Sequence, residues 1–423
     1  DGSSIEHFCN GDSAIANDVK TILDTFQDAK EYGSILQVPI IEFGKINERF
    51  AQLVDEASLY NIYLLGDFQK LMRVAEIMSG KYAVVATNPP YLNKFDSKLK
   101  AFIADNYNDY KGDLFSVFIY RNFGFCLKEG YSCLMTPMVW MFIQTYEKLR
   151  QYIIDNKGIT TLIQFEYSAY EEATVPICTF VLQNHNSGKR GSYLRLVDFR
   201  GGMEVQRQKV LEAIETHDSK ILFEANDEKF VNIPGSPIAY WASDKMLNCF
   251  SAGTRLGDIA DSKQGLATGE NDRFVRLWQE VDRERINFQA ESNLDFAKSN
   301  RKWAPYNKGG EFRKWYGNNT HIVNWENDGK EIKSFTDSKG KLRSRPQNLM
   351  FYFRESFTWS LISSSVAAFR YKPHGHIFDI AGMSGFSRNN LLYLLALCNT
   401  KFSMKVLEII APTLNYQCGD IAN

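Results

Sequence analysis

The sequence has 423 residues and a net charge of −1, and its 44% hydrophobic and 23% charged content predicts a globular protein of two or three domains. The absence of a secretory signal and of any run of 18 apolar residues argues against secretion and membrane insertion, and predicts a cytoplasmic protein with no membrane partner. Seven scattered cysteines and six histidines, without CxxC or HExxH spacing, argue against a disulfide framework and a structural metal.

The first half of the chain has the pattern of an α/β domain. Apolar residues recur at helical spacing between residues 12 and 80. The pattern then predicts strand 82–87, helices 97–106 and 113–128, strand 132–135, helix 144–155, and strands 160–165 and 177–182. This order predicts an α/β sheet whose last two strands form an antiparallel hairpin edge.

Asn88-Pro89-Pro90-Tyr91 directly follows the first predicted strand. Ligands of open α/β sheets bind beyond the carboxyl ends of strands, where this loop falls. The two prolines stiffen the loop and remove two N–H donors, which leaves the Asn88 side-chain oxygen and the Pro89 carbonyl free to accept hydrogen bonds from an amino group. Tyr91 offers an aromatic face for a flipped-out base. A simple Pro-Pro turn closing a buried strand is the alternative.

Two further positions are candidates near this loop. Methyltransferases that modify a planar amino group, whose catalytic loop residues 88–91 resemble, carry an aromatic residue at the head of the late hairpin to grip the flipped base from its other side. Tyr170, ahead of the strand 177–182, occupies that place, and Tyr167 is the rival for that role. An exposed loop tyrosine is the alternative for Tyr170. Asp113 either caps the helix that follows it or lines the site, and the cap is favoured.

The second half changes character near residues 240–250. Residues 184–191 are polar and turn-rich, residues 217–250 are predicted as a connection, and residues 390–410 predict one or two helices. From Ser251 to Asn423 there are 24 Lys and Arg against 18 Asp and Glu, whereas the preceding part has 25 against 32. This asymmetry suggests an anionic partner for the second half.

Basic residues and aromatics alternate between Lys298 and Tyr316, and a second basic run, every other residue, extends from Lys339 to Arg345. On an extended segment that second run would face one side. Such residues contact phosphates, stack on bases or read base edges, although either cluster alone could be a solvated surface. The predicted DNA-binding residues are Lys302, Lys308, Arg313, Lys314, Trp315, Arg343 and Arg345.

Seven segments carry a resemblance to a known family: residues 29–34, 88–91, 111–115 and 168–172, followed by 263–269, 305–316 and 343–346. Together they resemble the adenine-specific (amino-) DNA methyltransferases of the type IIG restriction–modification class and of BREX phage-defence systems. The resemblance implies a partial Rossmann-like class I methyltransferase sheet in residues 1–245, with a helical insertion at 12–80. It implies a mixed α+β target-recognition domain, truncated, in residues 246–423.

The resemblance also implies a function. The parent enzyme would transfer a methyl group from S-adenosylmethionine (AdoMet) to N6 of a flipped adenine in double-stranded DNA, with Asn88, Pro89, Pro90 and Tyr91 as catalytic residues. Other defence-system proteins would be its partners. Tyr91 and Tyr170 would stack on the base.

One expected element is missing. Enzymes of this family hold AdoMet with an Asp-Pro-x-x-Gly-x-Gly-type loop and a following acidic residue, and neither precedes Asn88. The chain alone is therefore expected to be a poor or inactive enzyme, lacking the amino-terminal part of the site. Two alternatives stay open: a non-catalytic DNA-recognition module, and a protein glutamine methyltransferase, which has no need of a basic, aromatic second half.

Overall fold

The computed structural model describes residues 2–55, 59–167, 169, 175–218, 220–363, 366–412 and 415–423. They group into two units, residues 1–231 and residues 232–423. The chain is therefore mixed α/β with several sheets. The assignment of the two halves as catalytic and recognition domains stays a prediction.

A six-stranded sheet is the centre of the first unit. Its helices are α1 (Gly2–Cys9), α2 (Ser13–Thr25), α3 (Ala29–Tyr32), α4 (Phe43–Asp55), α5 (Leu59–Ser79), α6 (Ser97–Asn106), α7 (Leu114–Phe125), α8 (Glu147–Asn156) and α9 (Gly202–Thr216). Its strands are β1 (Tyr82–Thr87), β2 (Cys126–Pro137), β3 (Gly158–Gln164), β4 (Ile177–Gln183), β5 (Gly191–Arg195) and β6 (Leu222–Ala225).

The strand order of this sheet is β1-β2-β4-β3-β5-β6. β1 runs parallel to β2, and β4 runs antiparallel to both β2 and β3. The predicted antiparallel pairing of 160–165 with 177–182 is thus confirmed, but the predicted edge position was wrong, because β4 also pairs with β2 and β3 also pairs with β5. β1 is an edge strand in the described part of the chain, and Val84 on it is 58% exposed. The carboxyl ends of β1, β2 and β3 lie at one end of the sheet, together with the start of β4.

The helices beside the sheet begin where the sequence supplies caps. Asp96 accepts hydrogen bonds from the backbone N–H groups of Lys98 and Leu99 at the start of α6, and Asp113 with Ser116 forms a capping box at the start of α7. α7 then buries Phe115, Val117, Ile119 and Phe123. Residues of α1, α2, α4 and α5 form a separate apolar core that includes Phe8, Val19, Ile22, Ile46 and Phe50.

Three predictions for this unit were wrong in detail. The helix predicted over 113–128 ends at Phe125, because Cys126 already pairs with Tyr82 in the sheet. The helical region 12–80 is interrupted by non-helical residues 36–42. The connection predicted over 217–250 contains β6, which pairs with β5. β5 itself was not predicted; Gly191 is required there, since an added Cβ would lie 2.2 Å from the Ile159 carbonyl oxygen.

The second unit is built from short strands. Its helices are α10 (Asp244–Ala252), α11 (Leu256–Ile259), α12 (Asn271–Phe274), α13 (Asn293–Lys298), α14 (Glu326–Lys333), α15 (Leu391–Cys398), α16 (Lys401–Ile410) and α17 (Cys418–Ala422). Its strands are β7 (Asp261–Lys263), β8 (Val275–Leu277), β9 (Trp303–Asn307), β10 (His321–Asn324), β11 (Ser356–Thr358), β12 (Arg370–Lys372), β13 (Ile377–Phe378) and β14 (Ser384–Phe386). Residues 390–410 thus contain two helices.

Two four-stranded sheets organise this unit, with orders β13-β9-β10-β8 and β12-β11-β14-β7. Each has an aromatic-rich core: Trp325, Tyr352 and Phe353 belong to one, and Trp359 and Phe369 belong to the other. Aromatic pairs with ring centroids 5 to 6 Å apart suit such small sheets, because large rings fill a core that few residues enclose.

No helix in the described part of the chain is long and apolar enough to cross a membrane.

Candidate functional site

The Asn88–Tyr91 loop leaves the carboxyl end of β1. Pro89 is buried, whereas Asn88, Pro90 and Tyr91 are exposed. Thr87 pairs with Leu134 in the neighbouring strand, so the loop begins from a fixed point of the sheet. The loop is therefore anchored at its base and open to solvent at its polar tip.

A clasp fixes the far end of this loop to α7. The Leu92 N–H donates to Asp113 Oδ1 at 2.9 Å, and the Leu114 N–H donates to the Leu92 carbonyl oxygen at 2.8 Å. Asp113 Oδ1 also accepts from the Phe115 N–H at 3.3 Å. The predicted cap is thus confirmed, and the same carboxylate holds the loop.

Asp113 is buried, with 7% of its surface exposed. Desolvation raises the pKa of its carboxyl above the ordinary value, while the backbone N–H groups that it accepts from oppose that rise. Because it accepts from Leu92 of the loop and from Phe115 of α7, this carboxylate is the structural link between the candidate site and the helix behind it.

Tyr91 contacts both Asn88 and β2, and part of its ring is exposed to solvent. Its hydroxyl is 3.4 Å from Asn88 Oδ1 and 3.4 Å from the Met135 carbonyl oxygen, both long contacts for an O–H donor. Its ring stands edge-on to Phe115 at 6.3 Å between centroids, and Phe115 in turn contacts Tyr146. The ring is 40% exposed, so aromatic packing orients it without covering it.

Two hydrogen-bond acceptors of the loop have unused capacity. In the described part of the chain, the Pro89 carbonyl oxygen accepts no hydrogen bond, and Asn88 Oδ1 has only the long contact to Tyr91. An sp² amide oxygen has two lone pairs and can accept a second hydrogen bond. This pair of acceptors suits an NH2 group, which presents two N–H donors.

The second base-stacking residue predicted from sequence, Tyr170, lies outside the described residues. Its rival, Tyr167, is described and is 58% exposed. Tyr167 follows β3, whose carboxyl end lies at the same end of the sheet as the Asn88 loop.

A buried arginine that the sequence did not single out shapes the neighbouring turn. Arg150 Nη1 donates to the carbonyl oxygens of Trp140 and Ile143, each at 2.8 Å. Its guanidinium is fully buried, and desolvation lowers its pKa to about 10. Arg150 therefore fixes the segment that follows β2. Its place within the α8 pattern resembles an ordinary surface position, so the sequence gives no signal for it.

The described residues do not form a complete cradle for AdoMet. Ahead of Asn88 they comprise α1 to α5 and β1, and they contain no strand–glycine loop–helix unit that could hold a nucleoside with its methionine tail.

The predicted DNA-binding residues of the second unit differ in their exposure and in the contacts that they already make. Arg313 is exposed, whereas Lys314 is half-buried and its Nζ donates to the Asn399 carbonyl oxygen at 3.1 Å. Lys302 Nζ lies 3.6 Å from Glu326, and Lys308 is half-buried. Arg313 is therefore the basic side chain of this cluster most open to a ligand.

The aromatic residues of the same cluster divide into core and surface. Trp303 and Tyr306 belong to β9 and are 8% and 1% exposed. Phe312, Trp315 and Tyr316 are 49%, 53% and 61% exposed. Three large rings thus reach solvent within five residues, which is unusual for a surface with no partner. We call residues 308–319 the aromatic loop.

Two buried cations hold the aromatic loop in place. Lys372 Nζ donates to the carbonyl oxygens of Gly317 and Asn318 at 2.9 and 3.1 Å and also contacts the side chain of Asn319. Arg370 Nη1 donates to the Arg313 carbonyl oxygen at 3.3 Å. Trp315 has φ of 73°, a left-handed conformation that costs energy for a bulky residue and must be held by its surroundings.

The second basic run does not form one extended face. The chain turns between Asp337 and Lys341, where the Gly340 φ is 77° and Thr336 bridges to Leu342. The single-face expectation was therefore wrong for the run as a whole. Arg343 lies 3.7 Å from Glu270, and Arg345 is exposed.

Residues 24–170 match the family of Eco57I restriction-modification methylases. Over 98% of its length the chain is 34% identical to the adenine-specific methyltransferase PglX of Lacticaseibacillus casei (strain Zhang), and it covers 35% of that protein. Over 97% of its length it is 33% identical to the adenine-specific methyltransferase BrxX of Escherichia coli O9:H4 (strain HS), covering 33% of it. The chain spans about a third of the length of these two relatives.

Solved structures similar to the chain include the type IIL restriction-modification enzyme MmeI in complex with DNA. The identity is 11% and the TM-score 0.47, with 74% of this chain and 42% of that chain covered. The ATP-dependent type ISP restriction-modification enzyme LlaBIII bound to DNA has 10% identity and a TM-score of 0.41, with coverage of 84% and 29%.

Proposed function

This chain belongs to the family of the adenine-specific methyltransferases PglX and BrxX, and from that premise we propose that it is the part of a DNA adenine-N6 methyltransferase that binds the target adenine and the surrounding duplex. AdoMet is the proposed methyl donor of the whole enzyme, which would act in BREX phage defence or restriction–modification with other defence proteins. The observation that carries the proposal is the pair of available acceptors, Asn88 Oδ1 and the Pro89 carbonyl, at the carboxyl end of β1.

In this proposal the loop positions the nucleophile. The amino group of adenine donates one hydrogen to Asn88 Oδ1 and the other to the Pro89 carbonyl. These bonds draw the amino group toward tetrahedral geometry and aim its lone pair away from the ring plane, toward the place of the methyl donor. Asn88 and Pro89 carry no acid or base that titrates near neutral pH, so their contribution is orientation and charge stabilisation.

The flipped base needs a surface to replace its lost stacking. The partly exposed ring of Tyr91 supplies one face, and we assign the opposite side to the connection between β3 and β4, where Tyr170 and Tyr167 are the candidates. Flipping costs a few kcal/mol of unstacking, and an aromatic contact recovers part of this cost.

The methyl donor must be held mainly by other residues of the whole protein. The described residues of this chain lack a cradle for it, so we expect the 423-residue chain alone to bind DNA and to have little or no methyltransferase activity. A calorimetric titration with AdoMet tests this point, and tight binding by the isolated chain would contradict it.

Asn88→Ala in the whole enzyme tests the loop. We expect loss of N6-methyladenine at target sites by at least a hundredfold, since the variant loses one acceptor that orients the nitrogen. DNA affinity should be unchanged. Asn93→Ala, an exposed asparagine of the same loop, is the matched control and should keep activity. Persistence of the methyl mark in the Asn88 variant would refute the role of the loop.

A non-catalytic DNA-recognition role for this chain is the second candidate. The observation that favours it is the missing cradle for AdoMet, combined with the exposed aromatic loop of the second unit. The two candidates differ in the whole enzyme: the second predicts that Asn88→Ala leaves the DNA mark intact.

A further inference from the structure

A cavity of about 580 Å3 lies at the amino ends of β1, β2 and β3, opposite to the Asn88 loop. Lys81 precedes β1, Cys126 begins β2, and Lys157 precedes β3, and all three line the cavity. Its volume is within the range of small-molecule sites. The function proposed above does not use this end of the sheet.

The charge in this cavity is of one sign. Lys81, Arg121, Lys128 and Lys157 line it, and no Asp or Glu does. None of the four forms an ion pair with any carboxylate in the described part of the chain. Four uncompensated cations around one cavity raise the local potential and favour an anion.

Two of these cations, the buried Arg121 and the half-buried Lys157, have N–H groups that make no hydrogen bond among the described residues. Arg121 is 6% exposed; its Nε and Nη2 both donate to the Leu36 carbonyl oxygen, at 3.2 and 2.8 Å, while Nη1 makes no hydrogen bond among the described residues. Gly124 leaves room for Nη1, since an added Cβ would lie 2.7 Å from it. Lys157 Nζ uses one of its three hydrogens on Asn184 Oδ1 at 2.7 Å.

Both groups contact aromatic rings, Arg121 that of Phe125 and Lys157 those of Phe123 and Tyr152, but neither has a carboxylate partner among the described residues. Desolvation lowers the pKa of Arg121 and of Lys157, and no carboxylate opposes that effect in either case. An anion bound between them would restore the missing charge partner.

The remaining lining combines aromatic and aliphatic side chains with the polar residues Gln37, Ser79 and Asn184. Tyr120, Phe123 and Tyr152 form one wall, with Tyr120 and Tyr152 5.0 Å apart between ring centroids. Val38, Ile40 and Met78 are the aliphatic residues and methionine of the lining. An inorganic anion would leave this surface unused, whereas a planar base would cover it.

We propose that this cavity binds a nucleoside phosphate, with its phosphate on Arg121, Lys157 and Lys81 and its base on the aromatic and aliphatic part of the lining. Phosphate oxygens match the free Arg121 Nη1 and the spare Lys157 hydrogens. Aromatic side chains stack on any of the bases, so the site favours ligands that combine a phosphate with an aromatic ring and does not distinguish one base from another. It is separate from the site for the target adenine and does not rest on the proposed function.

Calorimetric titration of the 423-residue chain with AMP and ATP tests the proposal, with adenosine and inorganic phosphate as comparison probes. We expect saturable binding of at least one nucleotide, and at least tenfold weaker binding of adenosine and of phosphate. Excess S-adenosylhomocysteine should not displace the nucleotide. No saturable nucleotide binding up to millimolar concentration, equal binding of adenosine or phosphate, or displacement by S-adenosylhomocysteine would each overturn the proposal.

Two variants locate the site. Lys157→Gln should weaken nucleotide binding at least tenfold. Ile40→Glu, at a position 88% exposed and therefore safe for folding, brings a carboxylate to the cavity and should do the same. Lys100→Gln, an exposed lysine of α6, is the matched control and should bind as the parent does. Equal affinity of Ile40→Glu and the parent would overturn the placement.

Discussion

At the scale of single residues, the most unusual side chain of the second unit is Lys372. It is 1% exposed, contacts only neutral acceptors of the aromatic loop, and lies beside the buried Arg370. Burial, with a smaller repulsion from Arg370, lowers the pKa of Lys372 to about 7. Such a lysine is uncommon, because burying its charge costs desolvation free energy and there is no carboxylate partner to offset that cost.

This anchor predicts a pH dependence of stability. Between pH 7 and about 10 the unfolded chain holds a proton on Lys372 that the folded chain has lost, so stability rises with pH in that window. Below pH 7 the lysine is charged in both states and its contribution is constant. The rise is up to about 1.4 kcal/mol per pH unit. Lys372→Met should remove it, as measured by urea unfolding at pH 7, 8 and 9.

Lys339→Met is the matched control, since Lys339 is an exposed lysine on the same unit. It should keep the slope of the parent chain. If the Lys372 and Lys339 variants show equal slopes, Lys372 is charged in the folded chain throughout this range.

At the scale of elements, local signals predicted the strands and helices that carry their own pattern. Tyr82–Thr87 is an apolar β-type run closed by prolines, and α6 and α7 begin at Asp96 and Asp113, whose caps are visible in the sequence. β5 and β6 were missed because they are only five and four residues long and are defined by pairing partners distant in sequence. Periodicity carries no information about such pairing.

The candidate site could likewise be predicted from the sequence only in part. The Asn88 loop is contiguous in sequence and could be recognised there, whereas its clasp joins Leu92 to Asp113, 21 positions away. In the second unit, the sequence placed Trp303 and Trp315 in one cluster. Only tertiary structure separates the core ring from the exposed one, because both lie among the same polar neighbours.

The double role of Asp113 predicts a larger cost than that of an ordinary cap. Asp113→Ala removes the acceptor for both Leu92 and Phe115, so we expect a loss of about 2 kcal/mol in urea unfolding. Asp96→Ala, a cap with no loop to hold, should cost about 1 kcal/mol. Equal losses in the two variants would show that the clasp adds nothing to stability.

Asp113→Asn separates the charge from the hydrogen bonds. The amide keeps an Oδ1 acceptor, so it should lose less stability than alanine does. Because burial raises the pKa of Asp113, the folded chain binds its proton more firmly than the unfolded chain does. The carboxylate therefore lowers stability as pH rises from about 4 through the folded pKa. The Asn variant should lack that decline, and an unchanged pH profile would contradict this account.

At the scale of the whole molecule, charge separates along the sequence. The part from Ser251 onward has 24 basic and 18 acidic residues, whereas the part before it has 25 and 32. An anionic duplex should therefore be attracted chiefly by the second part, and long-range attraction of this kind falls with ionic strength. The excess is small, so we expect Arg313, the exposed cation of the aromatic loop, to contribute to the affinity that we propose.

Arg313 and Trp315 make that attribution testable. Arg313→Gln should weaken duplex binding by the 423-residue chain and reduce the slope of log K against log salt concentration by about one unit, because one phosphate contact releases about one counterion. Trp315→Ala should weaken binding by about 1–3 kcal/mol and leave the slope unchanged, since stacking carries no net charge. Arg283→Gln, an exposed arginine of the same unit, is the matched control. Fluorescence anisotropy at several salt concentrations measures all three, and an equal slope change in the Arg283 and Arg313 variants would mean that diffuse charge, not the aromatic loop, holds the duplex.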